Sequence, residues 1–288
     1  TIAPGKSIQS YSSVGSSVSV IDKSTISNSS EYFLGAILDR NLPGMNYFQS
    51  GGYGTASGIQ LRGLPKRYST IYIDGVKMSD PSSSDNSFYF SNIMNSAIDK
   101  VEVLRGSQSS LYGSNAVGGT INIYTKKGGE GNNKKIEVSS GSNNTKNILV
   151  SFDGSGKKHN YYIGLNKLVT DGISAMNDNK EDDKYNNDGI VANYEYSFNK
   201  NFRIESGLRY SDSFLNYDEV TSGRTDLNNS TDDRELSYNL KLVHDTGNLK
   251  NQIIYNKTDI ARRVTTYTNG KKDYYGYRDA INLLGEYN

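Results

Sequence analysis

The chain has 288 residues, a formal net charge of +1, no cysteine, no tryptophan, 29 glycines against 4 prolines, and 23 tyrosines. That balance excludes a disulfide framework, a thiolate nucleophile and a zinc–thiolate site, gives no basic surface for nucleic acid, and with only His159 and His244 argues against a histidine-based metal centre. A mean hydropathy of −0.66, with no apolar run near the ~18 residues of a membrane helix, leaves open a membrane β-strand, whose apolar residues fall only at alternate positions.

In chain order, Thr1-Ile2-Ala3-Pro4 opens without a basic or apolar leader run. Ser17-Val18-Ser19-Val20-Ile21 alternates as a strand. Glu31 to Leu38 places apolar residues at helical spacing, with Ser29 or Ser30 as the expected cap and Pro43-Gly44 beyond its end. A glycine-rich turn, Gly51-Gly52-Tyr53-Gly54-Thr55-Ala56-Ser57, and a longer polar loop, Asp80 to Tyr89, interrupt short strands. Ser91 to Ile98 is expected to form another short helix. Val101 to Ile123 then reads strand, polar glycine-rich loop, strand: Val101 and Val103 alternate with Glu102, Ile121 and Ile123 with Asn122, and Gly106, Gly113, Gly118 and Gly119 lie between.

Lys126 to Asn133 is a polar joint expected to be flexible, and the pattern changes after it. Apolar residues occupy one parity in Tyr161–Val169, Ile190–Phe198, Phe202–Tyr210, Leu236–Leu242 and Ile281–Tyr287, with polar or glycine residues between them. Phe198-Asn199-Lys200-Asn201 and Asp245-Thr246-Gly247-Asn248 read as tight turns. Asp171 to Asp188, Asp218 to Asp233 and Thr265 to Tyr275 read as long polar loops. Short turns at one end and long loops at the other are the habit of an outer-membrane barrel; a soluble β-sandwich, as in a surface adhesin, is the alternative of another class. No nucleophile elbow, HExxH or phosphate-binding glycine loop occurs, so an enzyme is not expected.

The segment 101–123 resembles the closing motif of the plug domain of TonB-dependent outer-membrane receptors. Upstream, Leu42-Pro43-Gly44-Met45, Ile59-Gln60-Leu61-Arg62-Gly63 and Tyr72-Ile73-Asp74-Gly75-Val76 resemble that family's "LPGV", "IRG" and "IDGV" motifs, in the family's order. The resemblance implies an α+β plug domain over residues 1–128 inside an antiparallel transmembrane β-barrel that begins near residue 134. Such transporters close with about 22 strands. At roughly 20 residues per strand and turn, the chain has room for only the first eight, so an N-terminal portion of the barrel is expected.

The same resemblance implies a receptor of a Gram-negative outer membrane, embedded in its lipid and driven by a TonB-type inner-membrane partner that engages a segment at or before Thr1-Ile2-Ala3. Its plug loops are expected to touch the ligand, through Tyr53, Thr55 and Ser57 in one turn and Ser83, Asp85, Asn86 and Tyr89 in the other. Arg62 and Arg105 each end a strand before a glycine; the plain reading is a solvated strand end, the family reading a lock onto barrel-wall carboxylates. Asn186-Asn187-Asp188-Gly189 and Asn216-Tyr217-Asp218 resemble segments of the cobalamin-receptor group, where acidic outer loops hold calcium. Asp171, Asp183, Asn186, Asp188, Asp218 and Asp233 are therefore the expected calcium ligands, set against plain solvated acidic loops. Cobalamin or another corrinoid is the favoured ligand, with a ferric siderophore or haem as the runner-up.

Overall fold

A computed structural model describes residues 17–107, 116–174, 182–218 and 229–287. The middle of the glycine-rich motif and the N-terminal segment expected to couple to the inner membrane lie outside the described residues. The chain divides into two compact units: residues 1–49 with 56–126, and residues 127–288 with the short segment 50–55.

The first unit carries β1 (Ser17–Ile21), α1 (Lys23–Ser27), α2 (Leu34–Asn41), β2 (Met45–Gln49), β3 (Ser57–Leu61), β4 (Ser69–Ile73), β5 (Val76–Met78), β6 (Ile98–Arg105) and β7 (Gly119–Thr125). Five strands form one sheet in the order β1-β6-β7-β4-β5, and β2 pairs with β3. Only β4 and β7 run parallel; the other pairs are antiparallel. Ile71, Val101, Val103, Leu104, Ile121 and Ile123 are buried in the sheet, and Leu34, Ile37 and Leu38 are buried on α2. Each such side chain removed from water is worth roughly 1.5–3 kcal/mol, which a helix of two turns needs, since alone it is marginal.

Two motif residues have visible structural work. Asp74 adopts φ +50 in the β4–β5 turn. Its carboxylate accepts from the Thr125 N–H at 3.1 Å and from the Thr125 hydroxyl, while its own N–H donates to the Ile123 carbonyl at 2.9 Å. The turn is thereby pinned to the end of β7. Glu102 is fully buried but not orphaned: Lys100 Nζ lies at 2.6 Å and the Tyr124 hydroxyl donates at 3.1 Å.

Several expectations need correction here. The helix expected from Glu31 begins at Leu34, its N-cap is Phe33, and that cap makes no side-chain hydrogen bond. The capped helix is α1, where Asp22 accepts from the Thr25 N–H at 2.8 Å. The short helix expected over 91–98 contracts to a 3-10 turn at Asn95–Ala97, because Ile98 is already paired with Thr125 in the β6–β7 ladder.

The second unit is a single antiparallel meander of eight strands. They are β8 (Gly131–Gly141), β9 (Thr145–Ser155), β10 (His159–Thr170), β11 (Tyr185–Ser197), β12 (Phe202–Tyr217), β13 (Asn229–Asp245), β14 (Leu249–Thr266) and β15 (Gly270–Tyr287). The two tight turns stand where the sequence places them. The third long loop does not: Thr266 pairs with Gly270, and an Arg263–Asp273 ion pair at 2.7 Å lies within the ladder, so residues 265–275 are mostly strand. The joint is also more ordered than its composition implies, since Lys126 N–H donates to Ala97 O at 2.9 Å and Gly129 N–H to Asp153 Oδ2 at 2.8 Å.

The faces of this sheet run opposite to those of a soluble sandwich. Ile253, Ile281 and Leu283 are 48 %, 70 % and 73 % exposed, and Phe152, Ile163, Leu165 and Leu208 are exposed as well. On the other parity Asn147, Ser151, Asn187, Ser211, Ser213, Asn256 and Thr258 are buried. Apolar outward and polar inward is the pattern of a barrel wall that faces lipid.

Candidate functional site

Within the second unit the segment 50–55 lies against the strands. The Tyr53 ring sits 6.2 Å from that of Tyr185, tilted by 59°. Tyr185 opens β11 and is fully buried, between Thr170 of β10 and Leu215 of β12. Thr55 closes the turn on itself: its N–H and hydroxyl both reach the Gly52 carbonyl, at 3.3 and 2.8 Å. Tyr53 and Thr55 thus come from a turn held by its own hydrogen bonds and by an aromatic contact.

In the first unit the loop 80–89 is ordered by two aspartates. Asp80 accepts from the Ser82 N–H at 2.8 Å and the Ser82 hydroxyl at 2.5 Å, and Ser83 donates to the Asp80 carbonyl at 3.1 Å. Asp85 accepts from the Ser83 hydroxyl at 3.2 Å and the Ser87 N–H at 3.0 Å. Burial works to raise the Asp85 carboxyl, but the Ser87 hydrogen bonds, the Lys66 charge and the Ser83 hydrogen bond together outweigh it and hold the group below its usual value. Asp85 and Asn86 are exposed, Ser83 and Tyr89 half-buried. Lys66 Nζ lies 4.1 Å from the centre of the Tyr89 ring. Ser57, by contrast, is fully buried at the first position of β3.

Lys66 and Tyr185 carry little signal in the sequence. For Lys66 it is a basic pair, Lys66-Arg67, between two strands; Tyr185 falls in a stretch that reads as polar loop, and its contact arises from a fold-back that no local pattern encodes.

The two plug arginines differ. Arg105 donates to the Ser19 hydroxyl at 2.7 Å and to the Pro43 carbonyl at 3.0 Å, bonding β6 to β1 and to the turn after α2. Arg62 occupies φ +53 at the exposed turn after β3. The inward face of the second unit has its own ion pairs. Glu205 lies 2.9 Å from Arg203, 3.1 Å from Lys127 and 3.3 Å from Lys241. Arg209 pairs with Glu235, and Arg262 with Asp233 at 3.1 Å.

The six oxygen donors expected to hold calcium are divided by the fold. Asn186 and Asp188 are exposed, on the parity opposite the buried Asn187, and Asp188 pairs with Lys167 at 2.8 Å. Asp233 faces inward onto Arg262. Asp171, Asp183 and Asp218 lie at the loop ends of β10, β11 and β12. There Asn216 N–H donates to the Lys184 carbonyl at 2.9 Å, Ser174 donates to Asp218 at 3.2 Å, and the other Asp218 oxygen is buried without a hydrogen-bond donor. Among the described residues no three acidic or histidine side chains form a ligand cluster. Residues 175–181 and 219–228, which carry the remaining acids of these loops, lie outside the described residues.

Residues 10–120 match the family model of the TonB-dependent receptor plug domain. The chain carries the plug domain of the TonB-dependent receptors. Its architecture is a TonB-dependent receptor plug domain followed by antiparallel strands of a partial barrel. By sequence it is similar to the vitamin B12 transporter BtuB of Photobacterium profundum, 30% identical over 205 residues that cover 70% of this chain and 33% of that protein. The BtuB of Vibrio vulnificus is 27% identical over 216 residues, covering 73% and 34%. The chain therefore spans about a third of the length of these curated relatives. By structure it is similar to the alcaligin outer-membrane receptor FauA of Bordetella pertussis, with a TM-score of 0.76 at 18% identity, covering 95% of this chain and 44% of FauA.

Proposed function

We propose that this TonB-dependent receptor binds a corrinoid of the cobalamin type at the outer surface of a Gram-negative outer membrane and takes part in its import. The observation that carries the reading is the contrast between two similarities. Named vitamin B12 transporters match at 24–30% identity over about seven-tenths of the chain, whereas the siderophore receptors share the fold at 15–21%. A ferric siderophore is the second reading, favoured by the number of siderophore receptors among the structural neighbours.

The side chains that each unit offers suit a broad, amphipathic ligand. Tyr53 offers an aromatic face on a turn that is already closed, and Ser83, Asp85, Asn86 and Tyr89 offer hydroxyl, carboxylate, amide and phenol groups on a loop held by Asp80. Ordering these loops before binding lowers the entropy lost on association. In this reading calcium is held by carboxylates of the long loops, with Asp171, Asp183 and Asp218 among them. A cation there would tie the ends of two long loops together by oxygen coordination.

Import needs work, and the outer membrane has no nucleotide supply. In this proposal a TonB-type inner-membrane partner therefore acts on the plug mechanically. The β1–β6–β7 part of the sheet is where such a force would enter, because β1 stands nearest the N-terminus and is held to β6 by its ladder and by the Arg105–Ser19 bond.

The test is equilibrium binding of cyanocobalamin to the intact receptor in detergent, with and without a calcium chelator, against a panel of ferric siderophores. Saturable corrinoid binding that weakens on chelation supports both parts of the reading. Binding that chelation leaves unchanged removes calcium alone, and binding of a siderophore but no corrinoid replaces the ligand.

A further inference from the structure

At the short-turn end of β9–β12 a cavity of about 660 Å³ opens beside two hairpin turns. Residues 156–158 join β9 to β10, and residues 198–201 join β11 to β12. The turns are neighbours, since Ser197 N–H donates to the Lys158 carbonyl at 2.8 Å. Lys157, Lys158 and Lys200 line the cavity from these turns, and its lining has five cationic side chains against two carboxylates.

Both carboxylates are already engaged. Glu205 faces Arg203, Lys127 and Lys241. Glu195 accepts from Asn160 at 3.0 Å and lies 3.9 Å from Arg203. Glu195, Arg203, Glu205 and Lys127 belong to the inward face, whereas Lys157, Lys158 and Lys200 stand on the two turns and, among the described residues, form no ion pair, so the turns keep three cations that the protein does not neutralise.

A second observation stands beside the first. His159, Tyr196, Phe198 and Phe202 stack in a row, with successive ring centres 4.9, 4.9 and 5.6 Å apart. Phe198 and Phe202 are 49 % and 37 % exposed and also line the cavity. A row of exposed aromatics at one end of a barrel wall marks the level of the lipid headgroups. Lysines just beyond such a row face the phosphates of the leaflet.

We infer that the two turns form a binding site for the headgroup of an anionic phospholipid, with Lys157, Lys158 and Lys200 on the phosphate and the Phe198–Phe202 edge against the first carbons of the acyl chains. The inference rests on the strands crossing a lipid bilayer, as in the reading above. It is independent of which nutrient is carried.

Native mass spectrometry of the intact, delipidated receptor tests it, with phosphatidylglycerol, phosphatidylcholine and inorganic phosphate as probes. Each lysine at an anionic surface is worth roughly a fivefold change in affinity, so phosphatidylglycerol is expected to outbind phosphatidylcholine by about a hundredfold. The triple variant K157Q/K158Q/K200Q is expected to bind the two lipids equally. If that variant does not fold, K158Q and K200Q singly are each expected to lose about fivefold. Equal binding of both lipids by the wild type overturns the site, as does an undiminished preference in the variants. Displacement of phosphatidylglycerol by millimolar inorganic phosphate makes it a free-anion site and overturns the lipid. Heat-modifiable gel migration, read on every sample, separates failure of the lipid site from failure of the barrel reading, which alone abolishes that shift.

Discussion

Gly119 stands where β7 meets Arg105 of β6, with φ +146. A Cβ at this position would lie 2.2 Å from the Leu104 carbonyl oxygen, 3.0 Å from Leu61 Cδ1 and 3.3 Å from Arg105 Cα, where ordinary contact begins at 3.4 Å. Leu104 and Leu61 are both fully buried, so neither has room to retreat. Gly119→Ala must therefore push β6 and β7 apart by about 1 Å. Backbone strain at such a φ costs roughly 1–3 kcal/mol, and a ladder hydrogen bond left buried and unmade costs roughly 1–3 kcal/mol more. The expected loss is about 2–6 kcal/mol, confined to the plug. Gly63→Ala is the internal control. Gly63 also has positive φ, +76, but a Cβ there meets nothing within 4 Å, so only the left-handed backbone cost of about 1–2 kcal/mol applies. Hydrogen exchange of the β6 and β7 amides in the intact receptor reads the difference directly. Equal protection in the two variants would refute the steric argument.

The remaining predictions concern charge and the ligand loops. Glu205→Ala leaves Arg203, Lys127 and Lys241 around an empty place on the inward face; removing one partner of a largely buried ion network costs about 3–5 kcal/mol, read as a lower midpoint of heat-modifiable gel migration, with Glu205→Gln less harmful. Asp85 has a folded value below its unfolded 3.8, so its hold on the 80–89 loop is fully present above that pH and is lost only as pH falls below it. Ligand affinity should accordingly show no Asp85 step between pH 7 and pH 5, and Asp85→Ala should weaken binding throughout that range; a wild-type loss centred near pH 6 contradicts this. Tyr53→Ala removes one aromatic face and is expected to weaken corrinoid binding about tenfold by titration calorimetry, while an unchanged Kd removes Tyr53 from the site. Asp218→Asn is expected to make corrinoid binding insensitive to chelation, and a retained chelator effect assigns calcium elsewhere.

Much of this architecture is legible in the residues themselves, for physical reasons that can be named. A strand that is buried on one face needs a period of two, and Ile190–Phe198 or Leu236–Leu242 could satisfy little else. The turn motifs are local chemistry: glycine tolerates positive φ, and Gly63 and Gly75 both adopt it here, so such turns are legible as a signature along the chain. Alternation, however, says only that the two faces differ. Which face is covered depends on what packs there, and it took the tertiary structure to put Asn187, Asn256 and Thr258 inside and Ile253, Ile281 and Leu283 outside. Strand ends are likewise decided by the neighbouring strand. Tyr185 to Asp188 and Gly270 to Tyr275 look like polar loop by composition, yet the ladders to Leu215–Asp212 and to Thr266–Ala261 carry them into β11 and β15. Once Asn186 and Asp188 lie on a strand, period two turns them away from Asn187, and the acidic set that reads as one cluster along the chain is divided in space.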